Sequence, residues 1–242
     1  MILLFDADTG QVLAAMDSME ITTLRTGAAT AVAAKYLARR DSRIASICGC
    51  GNQGRVQLRA IKLACPLEKA FVWDIQKDAG DRFAVTMAAE LGIAVTPVDD
   101  LPAALRQSDI CVTCTPAKKF FIHEKDVRPG MFIAAVGADN EDKQELDPAL
   151  LAPKNKVVAD VVAQCATIGD LHHALTAGIA TVAGVYAELG EIICGKKPGR
   201  TSAEEITIFD STGMALQDVA SAAMVYEKAV KEGKGMRIDF GR

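Results

Sequence analysis

Residues 44–54 read IASICGCGNQG, an apolar run that ends in Gly49-x-Gly51-x-x-Gly54. Glycines at this spacing, after a strand and before a helix, have three separate tasks. Gly49 permits a tight turn, Gly51 lets backbone approach a pyrophosphate, and Gly54 lets helix pack closely on strand. The helix N-terminus that follows favours the phosphate charge. A ribose-reading acid is expected about 20 residues further on, and AFVWD supplies Asp74 at the end of the next apolar run. A carboxylate there accepts hydrogen bonds from both ribose hydroxyls and repels a 2′-phosphate. The motif predicts a nicotinamide dinucleotide, NAD ahead of NADP, with Gln76 and Lys77 close by and the lysine able to soften that preference.

Other residue types fit chemistry less well. Cys111 and Cys114 stand three apart on an apparent strand, so they face opposite sides, and no second pair completes a metal site. His172 and His173 are adjacent on a helical stretch and cannot both reach one ion, and His123 stands alone. Ser211-Thr212-Gly213 lacks the GxSxG context of a nucleophile elbow. No metal is expected.

To position the dinucleotide groups, strand, turn and helix must alternate. Apolar runs at 44–48, 70–73, 93–95, 110–114, 131–136 and 156–159 are separated by helical segments such as 53–64, 78–91 and 100–106. That rhythm builds a parallel sheet with helices on both faces. Residues 161–176 and 184–194 read as helices, ITIFD as a further strand, and 213–231 as an amphipathic helix. The Gly-rich polar end is expected as a tail or a partner-dependent strand. At the start, runs 2–5 and 11–16 flank DADTG as a hairpin, and Asp17 with Glu20 opens a helix from 18 to about 40. A lone hairpin is marginal in water, so this small unit reads as incomplete. The expected class is α/β: a Rossmann-type doubly wound parallel sheet over 41–210, plus an incomplete small α+β unit made of 1–40 and 211–242.

Half of the 242 residues are apolar, enough for one sizeable core or two modest ones. Lys and Arg total 27 against 31 Asp and Glu, with no basic block, which argues against nucleic acid as a partner. No apolar stretch approaches the roughly 18 residues that span a bilayer, so no membrane partner is expected. The opening MILLFDADTG is too short and acidic for a signal peptide. Seven scattered cysteines suit a reducing compartment, and the expected location is cytoplasmic.

The neighbours of the glycine motif narrow the reading. ILLFDADTG, TTLRTGAATAVAAKYLAR, CVTCTP, VGADNEDKQELD and GKKPGRTSAEEITIFDSTGMALQDVA resemble, in order, consecutive blocks of the ornithine cyclodeaminase/mu-crystallin family across about residues 1–230. From sequence alone, Arg25 is a helix-surface arginine and Asp139 a turn-forming aspartate. The resemblance gives them roles. It implies that Arg25 holds the substrate carboxylate and approaches the cofactor, a task suited to a guanidinium fork. It implies that Asp139 is the catalytic proton donor and contacts the substrate amine. It also places Asn52, Gln53, Thr115, Val136, Gly137, Ala138, Asp139, Lys143 and Ser211 at the cofactor and Thr212 at the substrate. The loop departs from the family where Glu141-Asp142 replace Pro-Gly, which makes it more acidic.

The family's shared step is hydride transfer between an amino acid's α-carbon and the nicotinamide. The resemblance therefore implies conversion of L-ornithine to L-proline and ammonia with catalytic NAD. The alternatives are a related NAD(P)-dependent amino- or imino-acid oxidoreductase, such as alanine dehydrogenase or pyrroline-2-carboxylate reductase, and a mu-crystallin-like binding protein without turnover. It further implies that the small unit binds substrate and forms a homodimer. Family members carry a segment ahead of ILLFDADTG with further substrate-binding residues, so this chain is expected to be a shortened member.

Overall fold

The computed structural model describes residues 1–238, so the end of the expected tail, 239–242, lies outside the described residues. The chain forms two compact units, one of 1–25 with 214 onward, the other of Thr26–Gly213.

In the first unit, β1 (Ile2–Phe5) and β2 (Val12–Met16) pair antiparallel. The turn between them is closed by Asp6, whose Oδ1 accepts from the Thr9 amide at 2.8 Å and the Thr9 hydroxyl at 2.7 Å. Leu3 and Phe5 are exposed, the alternation of a strand covered on one face. Helix α1 (Ser18–Leu37) starts where Asp17 Oδ1 accepts from the Met19 amide at 2.9 Å. The unit boundary falls within this helix, after Arg25, whereas the sequence reading kept the whole helix with the hairpin.

The second unit is built on β3 (Ile44–Cys48), α2 (Asn52–Ala64), β4 (Lys69–Trp73), α3 (Lys77–Leu91), β5 (Ala94–Pro97), α4 (Leu101–Leu105), β6 (Ile110–Thr113) and β7 (Phe132–Ala135). It continues with β8 (Lys156–Ala159), α5 (Val162–Ile168), α6 (Asp170–Thr176), β9 (Ala187–Glu188), α7 (Leu189–Ile193) and β10 (Thr207–Asp210), after which α8 (Ala215–Lys231) belongs to the first unit. The strands form one eight-stranded sheet in the order β5-β4-β3-β6-β7-β10-β8-β9. All neighbours in it are parallel, the α/β architecture expected. Pro97, which cannot donate to a ladder, sits at the end of the edge strand.

Consecutive residues of each strand serve opposite faces. Ile47, Val112, Ala134, Val158 and Phe209 pack with Leu58 and Ile61 of α2 and Phe83 and Met87 of α3. Cys48, Cys111, Ile133, Val157 and Ile208 pack on the other face with Leu101, Leu105, Leu150 and Leu171. Each fully buried Val, Leu, Ile, Phe or Met among them contributes about 1.5–3 kcal/mol, so both faces hold the sheet against its helices.

Two expectations are corrected. The helix expected over 161–176 is broken at Gly169, because Asp210 accepts from the Asp170 and Leu171 amides at 3.3 and 2.9 Å and so starts a new helix there. The helix expected over 184–194 is confined to α7. Before it, the Tyr186 amide bonds Val157 O at 2.9 Å, and Ala187-Glu188 extend the sheet beside β8. The open edge of β8 satisfies backbone groups that a helix would otherwise pair internally.

Candidate active site

β4 and β5 lie on one side of β3, while β6 and the later strands lie on the other. The carboxyl ends of β3 and β6 therefore flank a topological switch point, where open α/β sheets bind ligands. Gly49 leaves β3 with φ +105, a left-handed region that a side chain would make costly. A Cβ there would also stand 2.8 Å from Cys114 O. At Gly54 a Cβ would stand 2.0 Å from Gly49 O, so turn and helix touch only because that position has no side chain. Gly51 is different, with nothing within 4 Å of its Cβ position.

α2 begins at Asn52 without a side-chain cap, so its first-turn amides are left for a ligand. Gln53 Oε1 is buried with no partner among the described residues. The uncapped donors of the first turn and the open space above Gly51 together fit a pyrophosphate.

Asp74 follows β4. Its Oδ2 accepts from the Cys50 amide at 2.8 Å and its Oδ1 from the Gln76 amide at 2.9 Å, which fixes the carboxylate beside the glycine turn. Each oxygen retains acceptor capacity for a ribose hydroxyl. It borders a cleft of about 220 Å³ lined also by Val72, Lys77, Pro97 and Asp99. Lys77 Nζ lies 2.8 Å from Asp99 Oδ2, and that carboxylate raises the lysine's proton affinity. Its charge is thus engaged by Asp99.

Thr115, just beyond β6, gives its amide and hydroxyl to Glu145 Oε1 at 2.6 and 2.7 Å. Val136, Gly137 and Ala138 follow β7, and the Gly137 amide bonds Glu145 Oε2 at 2.9 Å. Asp139 is exposed, with Lys143 Nζ 2.6 Å from its Oδ1. The loop between them is folded back by Asn140, whose carbonyl accepts from the Lys143 amide at 3.2 Å and whose Oδ1 accepts from the Asp142 amide at 3.1 Å. Of the acidic pair replacing Pro-Gly, Asp142 is neutralised by Lys118 at 3.1 Å.

Ser211 and Thr212 leave β10, next to β7. Their hydroxyls point to Asp160 at 3.3 and 3.2 Å, and Asp160 also takes the Gly213 amide at 2.7 Å. Gly49, Thr115, the VGAD segment and Ser211 thus share one sheet edge. Arg25 lies in the other unit, where its guanidinium is steadied by Asp218 at 3.2 Å and Gln217 at 3.2 Å on α8.

The sequence reading missed the residues beneath these loops. Glu145 is one, and Asp170 accepts the Glu145 and Leu146 amides at 2.8 and 2.9 Å. His173 Nε2 lies 2.8 Å from the Lys143 carbonyl. The only signal for Glu145 in sequence was membership of the VGADNEDKQELD block, since spacing alone gives a charged loop, and Asp170 and His173 lie outside that block.

The sequence profile of the ornithine cyclodeaminase/mu-crystallin family matches residues 1–233. The chain belongs to that family. Among solved family members, Delta(1)-pyrroline-2-carboxylate reductase of Thermococcus litoralis, in complex with NADH and L-proline, superposes with a TM-score of 0.94 at 39% identity, covering 98% of this chain and 73% of that one. An archaeal alanine dehydrogenase dimer with bound NAD gives 0.94 at 41% identity, covering 99% and 73%. Iminosuccinate reductase of Paracoccus denitrificans is 39% identical over 99% of this chain and 73% of its own length. These family members carry dehydrogenase and reductase names.

Proposed function

We propose that this chain binds NAD(H) at the β3–β6 crevice and interconverts a small α-amino acid with its α-imine. The observation that carries the reading is the Asp139–Lys143 pair beyond β7, on the same sheet edge as the glycine turn and Asp74. Ornithine cyclodeamination, placed first from sequence, begins with the same step, but the family members at 39–41% identity are named for net reduction or dehydrogenation. Reduction is therefore put first.

NADH, when bound, supplies a hydride to an imine carbon. Asp139 holds or gives the proton at the substrate nitrogen, and its charge favours a cationic iminium. Lys143 keeps that carboxylate oriented through a 2.6 Å bond. Arg25 suits the substrate carboxylate through its planar fork. Asp74 reads the ribose, and the amides of the α2 N-terminus hold the pyrophosphate. The same reading makes the chain a homodimer, supported by the dimeric archaeal alanine dehydrogenase.

The test is NADH oxidation with pyrroline-2-carboxylate, with pyruvate plus ammonia, and with iminosuccinate, alongside proline formation from ornithine at catalytic NAD. Oxidation with one of the three imines is expected. Proline and ammonia from ornithine without net NADH change would install the cyclodeaminase instead. NADH binding with no turnover on any substrate would leave a binding protein of the mu-crystallin kind.

A further inference from the structure

Glu145 bridges two loops from beneath, yet it touches neither solvent nor any expected substrate position. It is fully buried. Oε1 takes both the amide and the hydroxyl of Thr115, beyond β6, and Oε2 takes the amide of Gly137, beyond β7. The fit is tight, since a Cβ on Gly137 would stand 2.5 Å from the carboxylate. The Glu145 carbonyl also accepts from the Phe121 and Ile122 amides, both at 3.1 Å. One side chain thereby ties two loops that the NAD reading puts against the nicotinamide half of the cofactor.

We propose that Glu145 is a positioning residue whose carboxylate, by accepting from Thr115 and Gly137 together, holds the two cofactor-side loops in their binding geometry. The proposal rests on the NAD reading of this edge. The three hydrogen bonds to the carboxylate all come from donors, and the Thr113 hydroxyl beside it also favours the charge, so the ionised form accepts from all of them without conflict. A proton on Oε2 would oppose the Gly137 N–H, and one on Oε1 would compete with the Thr115 N–H.

The surroundings oppose that charge. Burial first, and then the like charge of Asp170, push the Glu145 carboxyl up to about 7. Asp170, at the start of α6, has a buried Oδ2 without a partner among the described residues, and Asp210 of β10 lies behind it. The thiols of Cys48 on β3 and Cys114 after β6 also face Glu145, and burial keeps the Cys114 thiol protonated. On its own loop, Lys143 is committed to Asp139. The imidazole of His173 reaches the same loop through the Lys143 carbonyl.

The experiment is NADH affinity by fluorescence titration between pH 6 and 8. For a group titrating near 7, the ionised fraction falls about tenfold over that span, and the apparent Kd of the wild type rises by the same factor. In Glu145→Gln, Kd is raised about tenfold at pH 8 and is flat with pH. Asp170→Asn is isosteric and retains an oxygen for the Glu145 and Leu146 amides, so it keeps both of those bonds. Removing the like charge moves the pH limb to lower pH. That variant decides the matter if E145Q does not fold, and an unmoved limb in it overturns the proposal. E145Q retains His173, so a limb that survives in it also overturns the proposal. A flat profile in wild-type protein that binds NADH overturns it while sparing the NAD reading. Wild-type protein that binds no NADH at any pH removes both.

Discussion

Asp74 and Asp139 are both strand-end aspartates, but their surroundings divide their tasks. Two backbone amides immobilise Asp74 beside the glycine turn, whereas Asp139 is exposed and held by one lysine. Asp74→Ser removes charged acceptors for the ribose, each such hydrogen bond contributing about 1.5–3 kcal/mol. NADH affinity is expected to fall about tenfold or more relative to NADPH, measured by competitive titration. Adding Asp99→Asn releases Lys77 toward a 2′-phosphate and should tighten NADPH further. An unchanged ratio in the Asp74 variant would show that another group reads the ribose. Asp139→Asn keeps size and hydrogen bonding but not proton transfer, so kcat should fall by about 10²–10⁴ with NADH affinity retained. A variant with normal kcat would move the proton to a different group.

The strand–turn–helix element makes a sharper demand on two glycines of the same motif. Gly51 has φ −83 and empty space at its Cβ position, whereas a Cβ on Gly54 would collide with the Gly49 carbonyl. Gly51→Ala should keep the melting temperature, since surface changes usually stay within about 0.5 kcal/mol, while its methyl intrudes where the pyrophosphate must approach. Gly54→Ala should lose both affinity and stability, by about 1–3 kcal/mol for overpacking. Calorimetry with NADH titration separates the two, and equal melting losses would mean that Gly51 supports the fold. Such an element is legible in sequence because its constraints are local: a turn, a close approach and a helix start lie within eleven residues, 44–54. The break at Gly169 and the strand Ala187-Glu188 were not, because each depends on a distant partner, Asp210 in one case and the open edge of β8 in the other.

At the scale of the molecule, carboxylates buried along the sheet's carboxyl edge are what sequence hid most completely. Glu145 sits in EDKQELD, a stretch whose composition describes a solvated loop, and only the fold carries it under Thr115 and Gly137. From there the links run on: Asp170 accepts from the Glu145 amide, and Asp210 accepts from the Asp170 amide. Burial raises all three, Glu145 to about 7 and Asp170 to about 6, with Asp210 also well above its ordinary value. Below about pH 4 folded and unfolded chains both hold these protons, and the full stabilisation is present. As pH rises the unfolded chain ionises first, so stability is lost until the folded groups titrate as well. For Glu145, moved from 4.5 to about 7, the loss is on the order of 3 kcal/mol. Glu205 acts in the opposite direction, lowered to about 2, but its contribution is lost only below the ordinary carboxylate range. Urea unfolding should therefore give a higher midpoint at pH 5 than at pH 8, and Glu145→Gln, neutral at both, should narrow the gap. A midpoint that rises between pH 5 and 8 would mean that these carboxylates are ionised in the folded protein throughout and that the links along this edge are fixed rather than responsive to pH, whereas a gap that the substitution leaves intact would move its source from Glu145 to Asp170 and Asp210.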